Sequence, residues 1–397
     1  MNDDHARAWK LNSQISELAH EVAIYNIPYL SLPVTTPKDV ALDVFIKMNT
    51  SSVRLSAYDI VVAQLEEATG QSLHDLVEDL ETAVPAVTRY FETGSLVLDV
   101  AALRSDRPAT QRSYSLLNYE TLAAEWSQVV DGIKWVVEFL ESERVYDKQR
   151  LPSVTPIPVL AALAEYIPLS LDEAGNVRRL LRAYLWRSFI TRRYDQSASS
   201  RALQDFRGLR RLLLGEETDW TSVPIFDEDM NPLPTSMDLE SASWPRNRDV
   251  IARGILAATL REGARDIADD QTVNSGNLVH REYHHLFPDS LLNQIGAVGQ
   301  QSSYRALNCA LITWSTNRNI SNKAPLQYLN DRVDRSDVGE SAIRDRLASH
   351  LIPYDELASA GPYTEDDKVR LRDDYQRFIH ARAQLVLMRV LSLCNGQ

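Results

Sequence analysis

The sequence predicts a mainly α protein, a helical body carrying one small strand, loop, strand and helix unit in its carboxy-terminal part. Three observations lead there. Glycine is scarce, with 14 in 397 residues, so few positions favour interruption of a regular segment. Apolar residues recur at spacings of three and four, as from Ile133 to Glu143, the period of a helix with one buried face. The run Cys309 to Trp314 is instead apolar and β-prone, and it follows an irregular region that holds three of the eight histidines.

Taken in order, the first marked helix starts where Ser56 can cap and Asp59 completes a capping box before Ile60, Val61 and Leu65, with Gly70 as its stop. Helical spacing returns from Thr121 to Glu141, and the prolines of Leu151 to Pro158 break it. A second block spans Val177 to Leu214 and ends at Gly215. From Glu216 to Arg248, Pro224, Pro232, Pro234 and Pro245 stand among acids and serines, which reads as a linker or an ordered long loop and places a domain boundary. Helices are expected again near Asp249 to Ala264, Ser341 to Ser349 and Glu365 to Leu393.

Composition bounds the function. Hydrophobic residues at 44% and charged ones at 24% are ordinary for a folded protein, and the length suggests two or three domains at about 150 residues each. A net charge of −13 counts against coating nucleic acid or anionic membrane through bulk charge. Cys309 and Cys394 form no CxxC pair, which excludes a cysteine-built zinc site and a disulfide framework and points to a reducing interior. The most apolar stretch, Ile157 to Leu171, is broken by Glu165 and two prolines, short of the roughly 18 residues a membrane span needs. The polar, acidic amino terminus lacks a signal-peptide core, so a cytoplasmic location is expected.

Chemistry concentrates around His280, His284 and His285. Adjacent imidazoles on an extended strand point to opposite faces, so one can take a metal while its neighbour faces a substrate. Downstream lie Asn308, Asn317, Asn319 and Asn322, and Ser315 or Thr316 can cap a helix that carries Asn317. In such a hairpin and helix, a histidine at the end of the first strand and an amide at the start of the helix can converge on one ion. Imidazole, carboxamide and water suit a divalent cation. A structural zinc site built from His280, His284 and His285, or a buried polar network, would use the same residues.

The string HHLFP, then Asn308, then Asn317 resembles the ββα-metal fold of HNH nucleases. The resemblance implies that His285 is the general base, His284 the first metal ligand, Asn308 the residue that holds the base imidazole and Asn317 the second ligand. Asn322 falls where the family often has a polar residue near the phosphate. A histidine of pKa near 6.5 can take a proton from water at neutral pH. The commonest motif has Asp or Glu where this chain has His284, and paired histidines at this step are similar to those of bacterial toxin DNases of the same fold. An imidazole ligand shifts preference from Mg²⁺ toward Mn²⁺, Co²⁺ or Ni²⁺.

Wider similarity runs in patches along the chain. Val44 to Leu65 looks like the end of the amino-terminal half of GmrSD-type restriction enzymes, where an Asn-Thr turn (Asn49) precedes a Leu-Ser helix start. GARDIADDQTV, SNKAPLQYL, LASHLIP and FIHARAQLVLMRV resemble that family's carboxy-terminal nuclease half. The family's DGQQR string, linked to nucleotide hydrolysis, does not occur here. The expected organisation is residues 1–84 as the helical tail of the amino-terminal half, 85–245 as a helical middle domain, and 246–397 as an HNH nuclease domain. A nucleotide-hydrolysing domain or subunit is then an expected partner.

Between Val177 and Leu214, ten arginines stand against Asp195 and Asp205, a local +8. Arg178 with Arg182, and Arg207 with Arg210 and Arg211, recur at helical spacing. Arginine can fork onto phosphate oxygens, or it can pair with carboxylates and lie over apolar neighbours. Arg192, Arg193, Arg318 and Asn322 are the expected DNA contacts. The resulting expectation is a divalent-metal-dependent DNA endonuclease or nickase in defence against foreign DNA. RNA is an alternative substrate, and a DNA-binding or interaction module with a structural metal is the rival from another class.

Overall fold

A computed structural model of the chain describes residues 2–24, 31–33, 35–36, 40–41, 44, 57–168, 170–247, 249–294, 303–313, 316–317, 320–335 and 339–397. They fall into two units, Met1–Ser56 and Ala57–Gln397. In the first, helix α1 (Asn2–Ile24) exposes Trp9, Leu11, Ile15, Leu18 and Val22. Asn49, the capping Ser56 and Ser315 lie outside the described residues.

The second unit is mainly α. Helix α2 (Ala57–Thr69) stops at Gly70, whose φ of +67° is the left-handed turn that glycine adopts without a Cβ clash. Next come α3 (Leu73–Ala83), α4 (Thr93–Arg104) and the short α5 (Gln111–Tyr114). The helical spacing from Thr121 to Glu141 is carried by two helices, α6 (Tyr119–Ala124) and α7 (Trp126–Ser142). They divide at Glu125, which leaves helical geometry (ψ 12°) and pairs with Arg104 at 2.8 Å. In α8 (Pro156–Leu163) the prolines open the helix rather than end one, because the first turn needs no donors. Helices α7 and α8 touch backbone to backbone: a Cβ at Gly132 would sit 2.3 Å from the Ala161 carbonyl oxygen, so only glycine fits.

The arginine block also divides, into α9 (Leu171–Ile190) and α10 (Ala198–Leu213), with the chain turning through Ser197 at φ 52°. The proline-rich stretch after it is packed and not a spacer. Val223, Ile225, Phe226 and Leu239 are buried, and α11 (Ser236–Ser241) starts on a Thr235–Asp238 capping box. Helix α12 (Val250–Arg261) is capped by Asp249, which accepts from the Ala252 amide at 3.1 Å.

A two-stranded antiparallel sheet follows: β1 (Arg281–His285), short helix α13 (Asp289–Gln294) and β2 (Cys309–Thr313), with His285 opposite Cys309 and His284 opposite Ala310. Four helices complete the unit, α14 (Pro325–Arg335), α15 (Gly339–Ala348), α16 (Tyr354–Ala358) and the long α17 (Lys368–Cys394). Helix α9 packs on both α12 and α17, and one apolar cluster runs from Val61 to Cys394. That cluster has members on both sides of positions 84/85 and 245/246. Among the described residues, no helix is long and apolar enough to cross a membrane.

Candidate functional site

Side chains alternate across β1, so Glu282 and His284 share one face while Arg281, Tyr283 and His285 share the other. The Nε2 atoms of both His284 and His285 are buried with no hydrogen-bond partner. An unmet buried polar atom costs about 1–3 kcal/mol, and two on adjacent residues mark the strand end as the strongest candidate site.

His285 is gripped by aromatic rings. Trp244, from the stretch between α11 and α12, stacks on its imidazole with centroids 4.2 Å apart, and Tyr304 meets it edge-on at 4.7 Å. Burial lowers the imidazole's pKa below its ordinary value, while the nearby Asp289 carboxylate opposes that shift. Asp289 in turn accepts a hydrogen bond from Ser303 Oγ.

His284 is more enclosed, at 7% exposed. Burial, then the neighbouring His285, lowers its pKa to about 4, and a hydrogen bond with the Asn317 side chain works the other way. Asn317, in helical backbone just after β2, also donates from Nδ2 to Glu282 Oε2 at 2.9 Å. The Asn317 amide thus interacts with both Glu282 and His284, Nε2 of His284 lacks a partner, and imidazole with amide is a donor set that would suit a divalent cation. Among the described residues, no three His, Cys, Asp or Glu side chains gather as a metal cage, so the convergence depends on the amide. His280 is exposed at the end of a short turn ahead of β1.

The expected contact of Asn308 with the base takes another form. Its side chain is fully buried and clamps the loop just beyond His285, accepting from the Phe287 amide at 2.8 Å and donating to the carbonyls of Phe287 and Ser303, each at 3.0 Å. Arg382, on α17, holds the backbone on either side of it: Nη1 donates to the Leu307 carbonyl at 2.6 Å and the Cys309 carbonyl at 2.9 Å. Nη2 reaches the His350 carbonyl at 3.1 Å. The other end of the hairpin is tied by buried Asp266, which takes Arg281 at 3.0 Å, the Thr313 amide at 2.7 Å and the Thr316 hydroxyl at 2.6 Å. One carboxylate therefore fixes the start of β1, the end of β2 and the residue before Asn317.

Arg193 is a correction. It is 6% exposed, with Nε and Nη2 bonded to Asp205 at 3.0 and 3.1 Å, and so serves the core and not a phosphate. Much of the block follows it: Arg182 pairs with Glu143, Arg187 with Glu228, Arg207 with Asp106. The acids lie across turns or on other helices, where counting charge along the block does not find them. Arg192 and Asn322 are exposed, and Arg318 lies outside the described residues. Arg246, which the sequence analysis did not single out, is exposed and stands 5.3 Å over the Tyr283 ring, two residues beyond Trp244.

Trp244, Tyr304, Glu282, Asp266 and Arg382 were also missed. Only Glu282 carried a sequence signal, its two-residue offset from His284 on one strand. Comparison of the chain with protein-family models and with curated proteins found no match in either.

Proposed function

We propose that the chain is a divalent-metal-dependent endonuclease or nickase of the HNH kind, hydrolysing phosphodiester bonds in DNA, with a role in defence against foreign DNA. The observation that carries the reading is the pair of adjacent histidines with unpartnered buried Nε2 atoms, one beside an amide and the other in an aromatic grip. His285 is neutral at pH 7 because burial lowers its pKa, so it is in the form that accepts a proton from attacking water. Trp244 and Tyr304 fix the ring's plane, and Asp289 favours the imidazolium once formed. Tyr304, at 46% exposed, is the ring that yields to substrate. His284 and Asn317 would hold the cation, which when bound supplies charge stabilisation to the phosphate and the leaving oxygen. DNA cleavage faster with Mn²⁺ than with Mg²⁺ is expected from the imidazole ligand.

The enclosure of His285 Nε2 favours a second reading, a DNA-binding or interaction module whose His–Asn pair holds a structural metal. Nicking of supercoiled plasmid in Mn²⁺, wild type beside His285→Ala, separates the two. Loss in the variant alone is expected. Activity kept by the variant removes His285 as base, and inactivity of both proteins favours the binding module.

A further inference from the structure

We infer that Glu282 is a positioning residue that sets which edge of the Asn317 amide faces His284. The inference rests on the metal-site reading of His284 and Asn317 above. An ionised carboxylate only accepts hydrogen bonds, whereas a carboxamide has one accepting and one donating edge. The bond from Asn317 Nδ2 to Glu282 Oε2, 2.9 Å long, therefore commits the donor edge to Glu282 and turns Oδ1 away from it. Glu282 and His284 share one face of β1, and the Asn317 amide interacts with both side chains. With its nitrogen committed to the carboxylate, the oxygen edge is the one left for the imidazole's side.

The alternative orientation shows what Glu282 prevents. With the amide turned over, Nδ2 would donate to the imidazole of His284, whose Nε2 lacks a partner. The amide would then present no oxygen lone pair on the imidazole's side and could not join His284 as a ligand. Glu282 shares the His284 face of β1 and cannot donate the bond that the turned amide would need. Glutamine could, so Glu282→Gln preserves shape while permitting the closed arrangement.

The test is Mn²⁺ affinity of the full chain, read from the electron paramagnetic resonance signal of free Mn²⁺ without any cleavage assay. Folding of each variant is checked by circular dichroism. Glu282→Gln is expected to weaken binding about 10-fold or more, the usual range for loss of a residue that orients a metal ligand. In an Asn317→Asp background there is no donor edge to misplace, so the same substitution is expected to cost about 10-fold less than in the wild type. Equal costs in both backgrounds would overturn the inference, because Glu282 would then act as a ligand or through charge alone. Binding abolished by His284→Ala yet untouched by Glu282→Gln would overturn it while leaving the metal reading intact. No Mn²⁺ binding by the wild type would remove both.

Discussion

The indole of Trp244 lies over the imidazole of His285, with centroids 4.2 Å apart and planes 21° from parallel. Trp244 is itself buried and comes from the turn that links α11 to α12. The candidate base thus depends on a segment that reads in sequence as a linker or an ordered long loop. Replacing Trp244 with Ala admits water to the ring and removes the burial that lowers its pKa. The acid limb of the cleavage rate against pH should move to higher pH, toward the ordinary histidine value. A profile that keeps its limb in place would show that the stack does not tune the base. A stability loss of about 3–5 kcal/mol is also expected for truncating a buried Trp.

Asn308 offers a sharper case, since its amide serves three backbone groups at once. Asn308→Asp keeps the size and removes the donor, leaving a buried carboxylate against the carbonyls of Phe287 and Ser303. Each buried group left unmet costs about 1–3 kcal/mol, so urea unfolding should show a loss of at least about 3 kcal/mol. A change below about 1 kcal/mol would mean that the loop after His285 is held elsewhere.

Two buried imidazoles make stability depend on pH. Burial lowers both His284 and His350 to about 4, from about 6.5 in an unfolded chain. The unfolded state therefore binds protons first as pH falls. Stability should be full above about pH 6.5, decline through the window and level off below about 4, with at most about 3 kcal/mol from each. His350 donates from Nε2 to the Arg265 carbonyl, 2.7 Å away. His350→Gln should flatten roughly half of the slope between pH 7 and 5 in urea titrations. An unchanged slope would place the titration on other groups.

Arginines on this chain divide by their surroundings, and two substitutions separate the classes. Arg193→Ala leaves Asp205 buried without its charge partner, with Tyr194 still donating to it, which should cost about 3–5 kcal/mol. Arg246→Ala, at an exposed position beside Tyr283, should leave folding within about 0.5 kcal/mol. It should instead weaken DNA binding and reduce the salt slope by about one. A salt slope unchanged in Arg246→Ala would remove that residue from the DNA-facing surface.

Much of the local structure was legible in the sequence, because its causes are local. Gly70 and Gly215 end helices with positive φ, and the helix expected near Asp249 to Ala264 runs from Val250 to Arg261. The β-prone run from Cys309 pairs with the histidine strand, and the Asn317 amide meets Glu282 on that strand. The division of the arginine block was not legible, since residues 191–197 hold neither proline nor glycine and periodicity runs straight through them. What turns the chain there is tertiary: Arg193 and Tyr194 both fold back onto Asp205. Trp244, Asp266 and Arg382 escaped for the same reason. Each meets the hairpin only because other helices bring it there, and no spacing along the chain encodes that meeting.

The guanidinium of Arg382 has a consequence for the order in which this protein comes into being. Synthesis runs from the amino terminus, and domains generally fold as units. Both histidines are thus made well before the arginine that holds the carbonyls of Leu307 and Cys309. A growing chain carries the reactive groups early but lacks the brace behind Asn308 until α17 is largely complete. The strand end is therefore braced only once α17 has been made, and a chain broken off ahead of that helix is expected to lack its ordered form.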